Sequence, residues 1–316
     1  MSDVEKVFIA GHGGLVGSAL VRRLGNVPGL KVVTRNRAEL DLTNQLAVNE
    51  FFVSQRPTHV YLAAGRVGGI LDNADHPGEF IRENLLIAIN VIDAAYRSGV
   101  HKLLYFGSSC IYPSRAPQPI RPEYLLSGPL EQTNRAYSVA KIAGIEICRA
   151  YREQYGFNAI AVMPSNLYGP NDNFDPERSH VLPALLQRFA SAAERGDTEV
   201  SVWGTGTPRR EFIYADDLAE AAELLMARYE SSEIINIGYG EDVSIADVAA
   251  LVAEVTGFNG RICFDPTKPD GTSRKLLDVS VVRALGWRPR TTLREGLLKT
   301  WQWYCSLRAS SSGRQY

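Results

Sequence analysis

Tyr137 and Lys141 stand four apart in a stretch of helical periodicity, so both side chains leave one face of the same helix. A phenol of pKa about 10 is a poor acid at neutral pH, and a lysine ammonium beside it stabilises the phenolate and lowers that value. Ser108, just past the apolar run Lys102–Phe106, can hydrogen-bond the oxygen that such a tyrosine protonates. Tyr and Lys at this spacing also occur by chance on ordinary helices. A second feature removes the ambiguity. The run Val7-Phe8-Ile9-Ala10 leads directly into Gly11-His12-Gly13-Gly14-Leu15-Val16-Gly17. Gly11 permits a tight strand-to-helix turn, Gly14 lets a pyrophosphate approach the backbone, and Gly17 lets helix and strand close together. The helix that follows directs free N–H groups and its positive end at the phosphates. The two features together imply a nicotinamide dinucleotide held beside a proton donor.

Which dinucleotide binds depends on the end of the second strand. An Asp or Glu there reads the ribose 2′-hydroxyl of NAD. This chain has Thr34-Arg35-Asn36-Arg37 instead. Guanidinium groups pair with phosphate through charge-assisted forked bonds, so Arg35 and Arg37 favour the 2′-phosphate of NADP. Asp41 and Leu42, just beyond, suit the adenine edge.

These residues need a scaffold, and the chain spells one out. Expected strands at Val7–Ala10, Leu30–Thr34, His59–Ala63, Lys102–Phe106 and Ala159–Met163 alternate with expected helices at Gly14–Leu24, Gln45–Gln55, Phe80–Arg97 and Arg135–Tyr155. Such alternation predicts an α/β fold, a doubly wound parallel Rossmann sheet covered on both faces. After Pro164 the pattern turns irregular. Tyr168–His180 reads as a loop, followed by a helix Pro183–Glu194, a strand Glu199–Trp203 and a helix Asp216–Tyr229. A strand Ile234–Ile237, a helix Ile245–Thr256 and a strand Arg261–Phe264 complete the reading. The expected division is a dinucleotide-binding domain of residues 1–166 with about 211–236, and a smaller α/β substrate lobe of 167–210 and 237–308. The active site should lie between them, at the strand C-terminal ends. Residues 309–316 are small and polar and read as a disordered tail.

With 316 residues, 45% hydrophobic and 22% charged, the chain has the balance of a soluble globular protein. A net charge of −1 offers no global attraction to nucleic acid or an anionic membrane, so any anion site must be local. The four cysteines, Cys110, Cys148, Cys263 and Cys305, are scattered without CxxC or metal spacing, as expected of free thiols in a cytoplasmic protein. No metal site, signal peptide or membrane span is read from the sequence.

Further stretches carry a resemblance. They are Gly65-Arg66-Val67-Gly68-Gly69-Ile70, Gly107-Ser108-Ser109-Cys110-Ile111-Tyr112-Pro113, Met163-Pro164-Ser165-Asn166-Leu167-Tyr168-Gly169-Pro170, Ser179-His180-Val181, Val202-Trp203-Gly204-Thr205-Gly206-Thr207-Pro208, Arg210-Glu211-Phe212 and Lys268-Pro269-Asp270-Gly271-Thr272. With the glycine loop and the Tyr137–Gly144 helix, the chain resembles the extended short-chain dehydrogenase/reductases, and among them the GDP-L-fucose synthase family. The resemblance implies 3,5-epimerisation and 4-keto reduction of a GDP-4-keto-6-deoxymannose with NADPH, and a homodimer built on the two long helices. It implies Ser108, Tyr137 and Lys141 as the reductase set, Cys110 as the epimerisation base and His180 as the acid. It places the cofactor against Gly11 to Gly17, Arg35, Arg37, Asp41, Leu42, Ala63, Ala64, Lys141, Pro164, Asn166, Leu167 and His180. It places the GDP-sugar against Ser109, Asn166, Val181, Arg188, Trp203, Arg210 and Asp270. One departure is Gly13, where the family carries an arginine that helps hold the 2′-phosphate; Arg35 and Arg37 must then do more, or NADH is tolerated. Related dehydratases carry an Asp-Glu pair where this chain has Ser109-Cys110. Another GDP-4-keto sugar, of the colitose or deoxyheptose kind, remains open as substrate, and a non-catalytic NADP-binding regulator is the rival of another class.

Overall fold

The computed structural model describes residues 5–175, 179–268 and 270–312. The N-terminal four residues, part of the expected Tyr168–His180 loop (176–178), Pro269 of the Lys268–Thr272 motif and the last four tail residues lie outside the described residues. The first half runs β1 (Glu5–Ala10), α1 (Leu15–Leu24), β2 (Leu30–Val33), α2 (Gln45–Gln55), β3 (His59–Leu62), α3 (Ile70–Asp75), α4 (Pro77–Arg97), β4 (Lys102–Phe106), α5 (Arg135–Tyr155) and β5 (Ala159–Pro164). Next come β6 (Asn166–Tyr168), α6 (Val181–Arg195), β7 (Glu199–Trp203), β8 (Arg209–Arg210), β9 (Phe212–Tyr214), α7 (Ala215–Arg228) and β10 (Ile235–Ile237). The remainder is β11 (Val243–Ser244), α8 (Ile245–Thr256), β12 (Arg261–Asp265), β13 (Arg274–Lys275), α9 (Ser280–Ala284) and α10 (Leu293–Ser312).

Six strands form one sheet in the order β2-β1-β3-β4-β5-β10, every pairing parallel. The interior strands β4 and β5 are buried along their whole length, which is why they read as continuous apolar runs rather than alternating ones. Local signals place the helices. The Asn44 side chain accepts from the Ala47 amide at the start of α2, and Gly156 takes the left-handed conformation that ends α5. The doubly wound parallel sheet is therefore present as expected.

Apolar side chains gather in two clusters. One wraps the six-stranded sheet; the other holds Leu182, Leu186 and Phe189 of α6 against Val200 and Val202 of β7 and Val248 and Val252 of α8. Leu277, Val279, Val282 and Trp287 pack in the sheet cluster, although they lie in the stretch that the sequence assigns to the second lobe. Short pairings lock the two clusters together: β6 runs beside β9, and β8 sits between β11 and β13. These strands of two or three residues carry no periodic signal, and the expected element list lacks them. The final helix corrects the tail. Residues 309–312 continue α10 rather than forming part of a disordered end, because helical hydrogen bonding propagates along a segment once begun.

Candidate active site

The glycine loop joins β1 to α1. Gly11 has φ +86°, and a Cβ there would come within 2.7 Å of the Ala64 backbone after β3. A Cβ on Gly17 would overlap the Gly11 carbonyl oxygen. Both positions therefore require glycine, and the turn brings Gly11 to Gly17, Ala63 and Ala64 to one sheet edge with the start of α1 above it. Leu15 and Val16, the first residues of α1, are half-buried, as is His12. Gly13 is different: a Cβ there would meet nothing within 4 Å.

Past β2, no acid stands at the strand end. Arg35 donates to the Thr34 carbonyl at 2.7 Å and lies over the Phe51 ring, 5.7 Å from its centroid. Arg37 is exposed and pairs with Glu83 at 3.4 Å. Asp41 accepts from the Thr43 amide and hydroxyl at 3.0 and 2.8 Å, and these bonds hold its carboxyl below the usual range. The Leu42 carbonyl accepts from Asn90 at 3.0 Å. Asp41 thus braces its own turn, and Leu42 ties that turn to α4.

At the far end of β4, Ser108 caps a short turn through Ser109–Ile111, its hydroxyl accepting from the Cys110 amide at 3.2 Å. Lys141 is buried, with Nζ donating to the Phe106 carbonyl at 2.8 Å and lying 5.9 Å from the Tyr137 ring centroid. Phe80 of α4 meets the Tyr137 ring edge-on, centroids 6.3 Å apart. The sequence expectation that Lys141 lowers the Tyr137 pKa needs correction. Burial, with the Cys110 sulfur adding to it, holds the phenol above its ordinary value, and the Ser108 hydrogen bond opposes this without reversing it. Burial likewise pulls Lys141 down to about 8. Desolvation is the largest effect on both groups, so at neutral pH Tyr137 keeps the proton it would have to give.

Cys110 sits beside this set. Its carbonyl accepts from the buried Ser138 hydroxyl at 2.9 Å, which ties the thiol's turn to the helix carrying Tyr137. Its sulfur accepts from Lys275 Nζ at 3.6 Å. His180 stands at the N-cap position of α6, reached by solvent, and desolvation by the protein around it holds its ring below the usual value. Val181 follows it, 39% exposed.

The expected ligand contacts arrive from separate elements. Pro164, Asn166 and Leu167 follow one another from the end of β5 through β6, and Asn166 donates from its side chain to the Glu211 carbonyl at 2.9 Å. Arg210 has its guanidinium pulled down by burial, while Asp270 and Cys110 act in the opposite direction. Arg188 donates to the Ser201 carbonyl at 2.7 Å. Trp203 stands 49% exposed, with Lys268 Nζ 5.6 Å from its ring centroid. Asp270 accepts from Thr205 through both oxygens, at 2.6 and 2.8 Å, so it braces the turn behind Trp203 and only its remaining lone pairs face outward.

Three residues escaped the sequence reading. Ser138 follows Tyr137 but looks like any helical serine. Lys275 lies 165 positions from Cys110, and nothing local pairs them. Glu211, fully buried, accepts from the Gly240 and Leu277 amides at 2.6 and 2.9 Å. Burial pushes its carboxyl up to about 7. Its one sequence signal was an acid embedded in the Arg210-Glu211-Phe212 motif.

A glycine cradle over the edge of a parallel sheet, facing a Ser-Tyr-Lys set, defines the epimerase/dehydratase class of dinucleotide-binding enzymes. The chain belongs to the NAD dependent epimerase/dehydratase family, whose pattern matches residues 7–238, and within it to the GDP-L-fucose synthases. It is 56% identical over 300 residues to a probable GDP-L-fucose synthase 1 of Oryza sativa subsp. japonica, covering 95% of this chain and 92% of that one. A crystal structure of a GDP-6-OMe-4-keto-L-xylo-heptose reductase from C. jejuni superposes with a TM-score of 0.90 at 37% identity, over 97% of this chain and 99% of that one. A GDP-L-fucose synthetase from Naegleria fowleri bound to NADP superposes with a TM-score of 0.89 at 28% identity, over 98% of this chain and 97% of that one.

Proposed function

We propose that this chain epimerises GDP-4-keto-6-deoxy-D-mannose at C3 and C5 and reduces its C4 ketone with NADPH, forming GDP-L-fucose. The observation that carries the reading is the joint between Cys110 and Tyr137. A thiol and a phenol share one wall, linked through Ser108 and Ser138, where a keto sugar would need a base and a proton donor.

The cradle fits the dinucleotide, because a Cβ on Gly13 would meet nothing within 4 Å and one on Gly14 only the Gly11 carbonyl oxygen at 3.6 Å, which leaves the loop before α1 open to a pyrophosphate. Arg35 and Arg37 would take the 2′-phosphate, with Ala63, Ala64, Pro164, Asn166, Leu167 and His180 lining the remainder of the path. When bound, the nicotinamide supplies the hydride delivered to C4.

Protons on the carbons flanking the ketone are acidic because the electron pair left behind delocalises onto the C4 oxygen. Cys110 removes such a proton, forming S–H, while the hydrogen bonds of Ser108 and Tyr137 stabilise the enolate oxygen. His180 returns a proton from the opposite face, inverting the centre. In the reductive step Tyr137 gives its proton to the C4 oxygen, with the Lys141 ammonium stabilising the phenolate left behind. Arg188 and Arg210 would meet the diphosphate, Trp203 the guanine or sugar, and Ser109, Val181 and Asp270 the flanks of the ligand. This reading divides the chain into a cofactor half on the six-stranded sheet and a substrate half on the second apolar cluster. It also pairs two copies through α4 and α5, where Leu85, Leu86 and Ile89 are only half-buried and Val139 is exposed.

The test is product analysis by NMR after incubation with GDP-4-keto-6-deoxymannose and NADPH in deuterated water. GDP-L-fucose labelled at C3 and C5 is expected. Reduction without label or inversion would refute the epimerase half, and no turnover would refute the reading entirely. In Cys110→Ser the labelling should stop while some reduction to the uninverted sugar persists, because a hydroxyl is far too weakly acidic to serve as base.

A further inference from the structure

We propose that Lys275 is a positioning residue for the epimerisation step, holding the Cys110 sulfur in its charged, proton-accepting form. The inference rests on the reading of Cys110 as base. Lys275 Nζ is 3.6 Å from the sulfur, within the range of an N–H···S hydrogen bond. An ammonium at that distance favours thiolate over thiol, and only the thiolate removes a proton from carbon.

The lysine is held there from several sides. Strand β13 pairs with β8 so that Lys275 lies opposite Arg210. The Lys275 carbonyl accepts from the Glu211 amide at 3.3 Å. On the next residue, the Leu276 amide donates to the Gln118 side chain at 2.8 Å, and its carbonyl accepts from Ile120 at 2.7 Å. Gln118 and Ile120 belong to the segment that continues from Cys110 itself, so the lysine strand and the cysteine turn form one clamped unit. The buried Glu211 carboxylate fastens Leu277 in the same stretch. Ordering a lysine costs side-chain entropy, and clamping its backbone on both sides concentrates that remaining freedom on the sulfur. The Arg210 guanidinium also interacts with Cys110, while Asp270 acts on that guanidinium and the Tyr137 phenol faces the sulfur, so Lys275 is the group that donates directly to the thiol.

Two measurements on the full-length enzyme separate this idea from the reading beneath it. The first needs no substrate: the rate at which iodoacetamide alkylates Cys110, followed by peptide mass mapping, in wild type, Lys275→Gln and Lys275→Arg. At pH 7, Lys275→Gln should slow alkylation about three- to tenfold, since loss of a charged donor reduces the thiolate fraction while raising its intrinsic nucleophilicity in part compensation. The deficit should close at high pH, where both thiols ionise, and Lys275→Arg should restore most of the rate. The second is the ratio of C3/C5 deuterium exchange to ketone reduction, which should fall in Lys275→Gln and recover in Lys275→Arg. Unchanged alkylation and an unchanged ratio, in a folded variant, would overturn the proposal and leave the Cys110 assignment standing. A rise in substrate KM without change in either readout would also overturn it, marking Lys275 as a diphosphate contact only. A wild type that performs no exchange at all, yet shows the alkylation difference, would refute the epimerase reading and keep the Lys275–Cys110 interaction.

Discussion

Replacing Lys141 with Met should make the protein more stable at neutral pH while removing reductase activity, and the stability gain should vanish as the pH rises. Lys141 is 4% exposed, and burial holds its ammonium at about 8 rather than 10.5. That gap corresponds to about 3 kcal/mol. Below pH 8 the group is charged in both folded and unfolded chains, and the fold carries the full desolvation cost. Between 8 and 10.5 the folded protein releases the proton while the unfolded chain retains it, so wild-type stability increases with pH through that window. Methionine carries no such cost, but the Phe106 carbonyl loses its 2.8 Å donor, worth about 1 kcal/mol. Lys141→Met should therefore exceed wild type by about 2 kcal/mol at pH 7, and fall below it by about 1 kcal/mol near pH 10.5. Urea unfolding of both proteins in parallel at pH 7, 8, 9 and 10 measures the difference and cancels titrations common to both. Wild-type kcat/KM for reduction should decline through pH about 8 as the ammonium is lost. A stability difference that stays constant across this range would refute the reasoning, since it would mean that Lys141 keeps its hydration inside the fold.

Tyr137→Phe should lower the reduction rate on the order of 10²–10⁴-fold with NADPH affinity unchanged by fluorescence titration; near-normal turnover would remove Tyr137 from the reaction. Gly13→Arg adds a guanidinium where a Cβ meets nothing within 4 Å. It should lower KM for NADPH about three- to tenfold, leave NADH unaffected, and lose the gain at high salt. Gly17→Ala drives a methyl into the Gly11 carbonyl, so cofactor affinity should fall together with a stability loss of roughly 1–3 kcal/mol by denaturant titration; full cofactor affinity would show that the loop yields freely.

Much of this was legible before any coordinates. The strand and helix alternation up to Ala159–Met163 specifies the parallel sheet, because strands buried on both faces need continuous apolar runs and crossover helices need a 3.6-residue period. Gly11 and Gly17 announce the cradle, since a positive φ and a closed gap admit no other residue. Ser108, Tyr137 and Lys141 are readable for a similar reason: their roles depend on residue type and on spacing along regular elements. Tertiary structure decided what depends on distant segments meeting. The pairing of β8 with β13 brings Lys275 to Cys110 and Glu211 to Leu277, contacts between segments with no shared periodicity. It also decided the charge state of the site. A phenol and an ammonium at helical spacing suggest mutual stabilisation, but only the packed environment shows that desolvation is the larger effect on both. Sequence names the groups that can react; the dielectric and the long-range contacts that set their protons exist only once the chain has closed around them.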